Sequence, residues 1–504
     1  MFLKQKKEGK ANRSEEREQI KPIRKTATAS GKSKKSGRNL EVLLTTYFFV
    51  FLFLGMMGYL CYFVATNEQE IFNNSYNSRQ EILLSQNYRG SIYARDGELL
   101  ACTDLDDEGN ETRRYPYGEM FSHVVGFSTH GRTGIEAQAN YYLINSNAPI
   151  SDKVVNDMAG EKNPGDDVFT TLDVTLQEIA YKSLGVYDGA IIVSEPSTGK
   201  ILAMVSKPDF DPNQVDAMWE ELTADTESGR LLNRATQGLY PPGSTFKIIT
   251  SLEYIRENPT NYTNYHYQCN GRFKLEENII ECYHGTNHGS EDFITSFARS
   301  CNSSFANIGT SLDKAGFRQT LNGLLFDQEL PVKFNYSQSS VHMEEGMETA
   351  EMMQTSIGQG KTQITPLHLN MITCAIANDG ILMQPYAVDY VENSVGNNVK
   401  RYSPSSYGRL LTEEEAQILT NMMTRVVEKG TATVLSGLDY TAAGKTGSAE
   451  YNSKGDSHAW FTGFAPADDP QVCVTIIIEG AGSGGDYAVP IAKRLFDAYF
   501  AEAE

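Results

Sequence analysis

The chain has 504 residues, of which 40% are hydrophobic, and its formal net charge at pH 7 is −20. This length allows two to four domains and the composition supports buried cores, so a wholly disordered or fibrous protein is excluded. The negative charge argues against a nucleic-acid-binding protein, because phosphate contacts need a positive field. Lysine and arginine are concentrated in residues 1–39, and two different compartments for the two parts of the chain would explain this asymmetry.

An uncharged, largely apolar stretch follows the basic segment, at residues 42–67. At about 1.5 Å per residue, a helix of this length spans a hydrocarbon core of about 30 Å. A cleavable signal peptide would have a shorter apolar stretch and a small-residue cleavage site, so we expect a retained membrane helix over residues 40–67. The positive-inside rule then places residues 1–39 in the cytoplasm, as a solvated basic tail, and the rest of the chain outside the cell.

Residues 68–160 are polar and contain short strand-like runs separated by turn signals. One such run, at residues 90–94, is followed directly by Arg95-Asp96-Gly97, which is typical of a turn. This segment is therefore predicted to be a small β-rich spacer. A boundary is expected at about residue 161, because a Pro-Gly turn follows and the apolar patterning becomes denser beyond it.

Residues 161–504 combine helix and strand signals in the order typical of an α+β fold. Two capping boxes, which begin at Thr175 and Thr412, each predict the start of a helix. Residues 190–193 and 201–205 flank a Pro-Ser-Thr-Gly turn and predict a hairpin. Near the carboxyl terminus, two strands are predicted over residues 460–464 and 472–478, followed by an amphipathic helix over residues 489–500.

The seven cysteines are too few and too scattered for a disulfide scaffold. Cys269 and Cys282 flank a hydrophilic stretch that is followed by His284 and His288, so a disulfide, a zinc site and free thiols all remain open. The spacing C-x12-C-x-H-x3-H matches no standard zinc-ligand pattern. The sequence therefore predicts neither a metal site nor a cofactor.

The sharpest local signal is the run Tyr-Pro-Pro-Gly-Ser-Thr-Phe-Lys at residues 240–247. Its prolines and glycine end a loop, which places Ser244 in the first turn of a helix. Lys247 stands one turn further on the same face, so a hydroxyl lies beside an amine that can act as its base. The unpaired N–H groups of the first turn can also stabilise an oxyanion formed at this serine.

Alone, this S-x-x-K pattern is weak, because the chain repeats it at residues 197–200 and 311–314. The pattern becomes specific because two further motifs follow it in a fixed order. Ser-Cys-Asn follows at residues 300–302, and Lys-Thr-Gly-Ser follows at residues 445–448. This set, in this order, resembles the motif set of penicillin-binding proteins and serine β-lactamases.

The resemblance extends over residues 75 to 504. Runs familiar from transpeptidase domains lie at residues 170–173, 202–204, 210–213, 233–235, 357–360, 365–367 and 460–464, and pedestal-like runs lie at residues 77–79, 89–92 and 95–97. Class A members carry a glycosyltransferase domain for which residues 68–160 lack space, so the chain resembles class B members of the penicillin-binding protein A and FtsI type. It departs from the pattern at Ser448, where threonine is usual, and its spacer is short for the class.

This resemblance implies an α+β fold with a single N-terminal transmembrane helix, a β-rich pedestal over residues 68–160, and a transpeptidase domain over residues 161–504. In that domain a central antiparallel sheet has flanking helices and is joined by an all-helical lobe. Ser244 would be the nucleophile and Lys247 its base, because burial and the like charge of Lys445 lower the pKa of Lys247.

The remaining motif residues receive roles by the same resemblance. Ser300 would relay a proton to the leaving amine, and Asn302 would hold a substrate amide. Thr446, together with the charge of Lys445, would bind a terminal carboxylate. Gly447 would leave room for substrate backbone along the strand edge, and the N–H groups of Ser244 and Ser448 would form the oxyanion hole.

The implied activity is serine-type D,D-transpeptidation of peptidoglycan stem peptides that end in D-Ala-D-Ala, with a D,D-carboxypeptidase side activity open. β-Lactams would acylate the same serine, and the implied partner is a membrane-embedded glycan polymerase of the shape, elongation, division and sporulation family. Two alternatives remain. A β-lactam-hydrolysing or β-lactam-sensing relative is disfavoured by Asn302, where class D enzymes have an apolar residue, and an inactive wall-synthesis scaffold is disfavoured by the intact motifs.

Overall fold

The structure of the protein, a computed structural model, describes residues 36–73, 79–451 and 456–502. The chain divides into an N-terminal unit that ends at Glu68 and a second unit that begins at Gln69. The basic tail predicted for residues 1–39 lies outside the described residues apart from residues 36–39, as does most of the pedestal-like run at residues 77–79.

The N-terminal helix Ser36–Asn73 contains the predicted membrane segment. Its stretch Leu40–Val64 is long and apolar enough to cross a membrane, and the side chains of this stretch are exposed. A helix satisfies its backbone hydrogen bonds internally, so such an apolar surface suits contact with lipid tails. The helix predicted for residues 40–67 is thus present, and it is consistent with single-pass anchoring.

A five-stranded antiparallel sheet forms the centre of the second unit. Its strands are, in spatial order, Ala443–Glu450, Ser457–Ala465, Val472–Ile478, Gly189–Ser194 and Ile201–Lys207. Every residue of the second and third of these strands is buried, which means that both faces of the sheet are covered. The predicted hairpin and both predicted carboxyl-terminal strands are confirmed, and the fold is α+β as expected.

The helices that cover this sheet follow from local signals, with two differences from the prediction. Thr412 caps Glu413–Lys429 with the predicted capping box. The capping box predicted at Thr175 is wrong. The helix spans Val174–Leu184, so its cap is Asp173, two residues before Thr175, and the Asp173 carboxylate accepts the Leu176 N–H. The terminal helix spans Gly484–Glu502 and therefore begins five residues before the predicted start.

A lobe built mainly of helices lies between the hairpin and the last three strands in sequence. Its helices are Lys247–Glu257, Phe293–Ala298, Asn302–Ser311, Lys314–Gly323, Thr349–Thr355 and Pro366–Ala377. The lobe also contains two small antiparallel pairs that the sequence did not predict, His266–Cys269 with Gly289–Asp292 and Arg272–Leu275 with Asn278–Glu281. These pairs lie on the chain immediately before the Ser-Cys-Asn run.

A second, mixed sheet joins the segment predicted as the spacer to the rest of the second unit. Its order is Asn398–Arg401, Val388–Glu392, Asp167–Thr170, Ile92–Tyr93, Leu99–Leu105 and Glu111–Arg114. Beside it, Arg89 and Arg113 both bond the fully buried carboxylate of Glu136. Because the sheet contains strands from both sides of residue 161, the domain boundary there stays a prediction.

The remaining elements connect these layers. The other α-helices are Arg79–Gln86, Gly134–Gln138, Asn140–Ile144, Ile150–Ala159, Val215–Ala224 and Arg234–Gln237. The short 3-10 turns are Gly118–Phe121, Pro212–Gln214, Gly243–Phe246, Tyr262–Asn264, Tyr283–Gly285 and Thr433–Leu435. The other strands are Asn87–Tyr88 with Asn163–Pro164, which pair in parallel, and Ile381–Met383 with Ser406–Arg409.

Candidate active site

Ser244 lies in the 3-10 turn Gly243–Phe246, which continues directly into the helix Lys247–Glu257. Neighbouring elements hold the turn in place: the Gly243 N–H donates to the Gly358 carbonyl at 2.8 Å, and the Trp460 indole N–H donates to the Pro241 carbonyl at 3.1 Å. Gly243 has a φ of +54°, a conformation that glycine adopts without steric cost. The predicted helical position of Ser244 is thus observed, on a rigidly held first turn.

The Lys-Thr-Gly-Ser run lies on Ala443–Glu450, the edge strand of the central sheet. It packs closely against the serine turn. A Cβ atom on Gly447 would lie 3.1 Å from the carbonyl oxygen of Pro242 and 3.1 Å from Cβ of Trp460. The glycine therefore allows the edge strand to approach the serine turn.

Two lysine amines meet at one hydroxyl beneath this surface. Lys247 Nζ lies 2.7 Å from the Ser300 carbonyl oxygen, 2.7 Å from Asn302 Oδ1 and 3.3 Å from Ser300 Oγ. Lys445 Nζ donates to Ser300 Oγ at 2.9 Å and to the Thr446 carbonyl at 3.0 Å. Both lysines are fully buried, and their amines connect the three motifs through Ser300 and Asn302, which are partly exposed.

Burial shifts both amines toward their neutral forms. It lowers the pKa of Lys247 to about 8, against the opposing charges of the nearby Cys301 and Cys282 thiols and Glu291. Burial also lowers the pKa of Lys445 well below its usual range, and the like charge of Lys247 adds to that shift. A neutral Lys247 amine has two N–H groups, which the Ser300 carbonyl and the Asn302 amide oxygen can accept, and its lone pair is then available for a proton.

The Ser-Cys-Asn run lies where the helix Phe293–Ala298 passes into Asn302–Ser311. Ser300 has a φ of +59°, which is uncommon outside glycine and typical of strained functional turns. Asn302 is further held by a bond from its amide nitrogen to the Glu281 carbonyl at 3.0 Å. Cys301 is fully buried, and its Sγ accepts the Ser304 N–H that begins the helix.

These elements surround a cleft of about 1170 Å³. Six of the eight residues singled out from the sequence line it, namely Ser244, Ser300, Asn302, Thr446, Gly447 and Ser448. The other two, Lys247 and Lys445, lie buried beneath its floor. Within residues 36–73, 79–451 and 456–502, no side chain or backbone group forms a hydrogen bond with Ser244 Oγ, so this hydroxyl faces the cleft without an intramolecular partner.

Sequence reasoning missed Thr431, whose hydroxyl bonds the Thr446 hydroxyl at the cleft wall. The signal that could have found it is its position, directly after Gly430 at the end of the long helix Glu413–Lys429. His458, in contrast, does not line the cleft: it is buried, accepts the Gly480 N–H at 3.2 Å and stacks on Tyr451. These contacts give His458 a structural role.

The arrangement can support acyl transfer. A partly exposed hydroxyl stands on the first turn of a helix, a buried amine of lowered pKa follows one turn later, and a second hydroxyl connects that amine to another. These are the parts that a nucleophile, its base and a proton relay require.

Comparison with known proteins identifies the family of this chain. Residues 189–497, more than half of the chain, match the model of the penicillin binding protein transpeptidase domain, and residues 89–168 match that of the penicillin binding protein A dimerisation domain. The peptidoglycan D,D-transpeptidase PbpA of Mycolicibacterium smegmatis is 31% identical over 455 residues, which cover 84% of this chain and 91% of that protein. The chain belongs to the class B penicillin-binding proteins.

Solved structures of this family share the fold. The penicillin G acyl-enzyme complex of penicillin-binding protein A from M. tuberculosis superposes with a TM-score of 0.74 at 28% identity, covering 82% of this chain and 100% of that one. The D,D-transpeptidase domain of a peptidoglycan glycosyltransferase from Eggerthella lenta superposes with a TM-score of 0.74 at 29% identity, covering 82% of this chain and 99% of that one. The resemblance to this family and the fold that it implied are therefore confirmed.

Proposed function

We propose that this penicillin-binding protein is a membrane-anchored peptidoglycan D,D-transpeptidase that uses Ser244 as its nucleophile. The observation that carries the proposal is the network in which the buried amines of Lys247 and Lys445 share the Ser300 hydroxyl, in the same cleft that Ser244 lines. Burying two amines that share one hydroxyl is unfavourable for two charges, so the network favours the neutral form of an amine. In this proposal residues 68–160 are the pedestal and residues 161–504 the transpeptidase domain.

In the acylation step, Ser244 Oγ attacks the carbonyl carbon of the penultimate D-alanine of a stem peptide. Lys247 accepts the hydroxyl proton, and the developing oxyanion is stabilised by the N–H groups of Ser244 and Ser448. The carbon–nitrogen bond then breaks, and D-alanine leaves after its amine receives a proton through Ser300. An amine of a neighbouring strand attacks the resulting ester, an amide forms, and the proton it releases returns to the Ser244 oxygen.

The other cleft residues bind substrate. Thr446, oriented by its bond to Thr431, holds the terminal carboxylate, and Asn302 holds a peptide amide. Gly447 allows the Ala443–Glu450 strand to lie close to the serine turn, and an extended peptide can add to the outer edge of that strand by main-chain hydrogen bonds. β-Lactams acylate Ser244, as penicillin G forms an acyl-enzyme with the M. tuberculosis protein.

The anchor sets the position of this chemistry. With residues 1–39 in the cytoplasm, the helix Leu40–Val64 places the second unit on the outer side of the cell membrane. A transpeptidase domain cross-links glycan strands but does not polymerise them. Its partner is therefore a membrane-embedded glycan polymerase of the shape, elongation, division and sporulation family.

The test is intact-mass spectrometry of the full-length protein in detergent after incubation with benzylpenicillin. We expect one stable penicilloyl adduct, its loss in Ser244→Ala, and its retention in Ser311→Ala, which alters the serine of a repeated S-x-x-K pattern outside the cleft. An adduct that persists in Ser244→Ala would refute the proposed nucleophile. An adduct that disappears within seconds would indicate a β-lactam-hydrolysing enzyme instead.

A further inference from the structure

Four side chains capable of binding a metal converge beside the Ser-Cys-Asn run. They are Cys269 at the end of one short strand, Cys282 just after another, His288 just before a third, and Cys301 at the start of the helix Asn302–Ser311. Each contributes one ligand atom, and these four atoms all lie within 4.8 Å of one another. The cysteines are 0%, 3% and 0% exposed, whereas His288 is partly exposed.

The separations fit ligands of one tetrahedral ion. Cys282 Sγ lies 3.7 Å from both Cys269 Sγ and Cys301 Sγ, and Cys269 Sγ lies 3.4 Å from His288 Nδ1. Zinc–sulfur bonds of about 2.3 Å at tetrahedral angles place two sulfur ligands about 3.8 Å apart. Directly bonded sulfur atoms would lie at about 2.05 Å, and one thiol of the three would be left over.

The groups around the cluster donate hydrogen bonds to its sulfur atoms. The Gly271 N–H lies 3.4 Å from Cys269 Sγ, and the Ser304 N–H lies 3.4 Å from Cys301 Sγ. The Ser303 hydroxyl lies 2.7 Å from Cys282 Sγ. Backbone N–H groups thus donate to two of the three sulfur atoms, and the Ser303 hydroxyl can only donate when Cys282 is a thiolate. Hydrogen bonds of this kind stabilise thiolates bound to zinc.

We propose that Cys269, Cys282, His288 and Cys301 together bind one zinc ion. Three thiolates and one imidazole complete a tetrahedron and leave no position for water, so the site is structural. The effect of this ion on the active site follows from the position of Cys301 in the sequence. Cys301 lies between Ser300 and Asn302, both of which bond Lys247 Nζ, so an ion on Cys301 fixes the geometry of that loop.

The metal itself is tested on the full-length protein, purified in detergent without a polyhistidine tag. We expect about one zinc per chain by elemental mass spectrometry, and cobalt-exchanged protein should show sulfur-to-cobalt charge transfer and the strong visible bands of tetrahedral cobalt. Cys301→Ser and His288→Ala should lose the metal. His288→Cys should keep it, since a fourth thiolate replaces the imidazole, and Cys102→Ser, a buried cysteine outside the cluster, should also keep it.

Two results would overturn the metal site. One is wild-type protein with no zinc, and the other is an intact mass lighter by two hydrogens with a Cys269–Cys282 disulfide. The effect on the active site rests on the proposed function and has its own test. Chelator-treated wild-type protein should be acylated by a fluorescent penicillin about 10-fold more slowly and should recover when zinc is added.

The outcomes of the two tests can be told apart. An unchanged acylation rate in zinc-free protein would refute the positioning role and leave the metal site standing. A failure of zinc-loaded protein to form any adduct would count against the proposed function, and the zinc stoichiometry would be unaffected.

Discussion

Burial of Lys247 and Lys445 gives each residue a chemical property that an exposed lysine lacks. An amine removed from water favours its neutral form, and two amines that share one hydroxyl favour it further. The aromatic rings of Phe305 and Phe297 lie 5.4 Å and 5.5 Å from the two amines and partly offset the loss of water for the charged forms. The rings thus oppose, without reversing, the effect of burial on the pKa values of the two amines.

A substitution at Lys247 tests its role as the base. Lys247→Met keeps the length of the side chain and removes the proton acceptor, so we expect the second-order rate of acylation by benzylpenicillin to fall by about 10²–10⁴-fold. Lys314→Met removes the lysine of a repeated S-x-x-K pattern away from the cleft and should leave the rate unchanged. A fall of less than about twofold in Lys247→Met, with the thermal unfolding midpoint preserved, would show that another group takes the proton.

The contact between the serine turn and the neighbouring loop depends on backbone atoms that lie too close for a side chain. A Cβ atom on Gly358 would lie 2.1 Å from the carbonyl oxygen of Gly243, and Gly358 has a φ of +73°. The clash cannot be relieved by rotating a side chain, because the oxygen belongs to the main chain. The positive φ would in addition be strained for any residue with a Cβ atom.

Gly358→Ala therefore displaces the turn that carries Ser244. We expect acylation by benzylpenicillin to slow by about 10-fold or more while helical content, measured by circular dichroism, is retained. The matched control is Gly323→Ala, at the end of the helix Lys314–Gly323, where nothing lies within 4 Å of the added Cβ. Equal acylation rates in the two variants would refute this explanation of the turn.

The long helix Glu413–Lys429 packs against the strand that carries Lys445 and begins with a complete capping box. The Thr412 hydroxyl accepts the Glu415 N–H, and the Glu415 carboxylate accepts the Thr412 N–H and also bonds Arg256. Thr412→Ala should lower the free energy of unfolding by about 1 kcal/mol. Thr175→Ala alters an exposed threonine of similar sequence context that caps nothing, so its unfolding midpoint should not fall.

Buried histidines make the stability of the whole molecule depend on pH. His123 packs against Phe210 and His368 against Phe326, and burial lowers the pKa of each histidine to about 4. The folded protein holds both rings neutral, whereas the unfolded chain takes up protons below about pH 6.5. Stability from these groups is therefore complete above about pH 6.5 and is lost as the pH falls from there toward about 4.

The expected slope is about 1.4 kcal/mol per pH unit for each histidine in that window. His368→Gln should flatten the fall of the thermal unfolding midpoint between about pH 6.5 and 5, because the ring that must stay neutral is gone. His266→Gln removes an exposed histidine and should leave the fall unchanged. Parallel pH profiles for wild type and His368→Gln would contradict the assignment.

The sequence by itself determined the features that depend on short spacing. Helical spacing placed Ser244 on a first turn with Lys247 one turn later, alternation and turn residues predicted the hairpin, and the length of the apolar stretch predicted the membrane helix. Each of these features depends on hydrogen bonds or on a periodicity within a few residues. Such a local pattern is the same wherever the segment lies in the fold. The grouping of the three motifs came from their order and from family resemblance.

Only the tertiary structure decided which distant side chains meet. It brought Cys301 to Cys269 and Cys282, and Thr431 to Thr446, although neither pairing has a spacing that predicts it. It also determined that Asp173 and not Thr175 caps the helix Val174–Leu184. A capping residue is the last one with a non-helical backbone, and in the folded chain that residue is Asp173. Contacts of this kind depend on how whole elements pack, and packing is fixed by the sum of many burial interactions that no short motif contains.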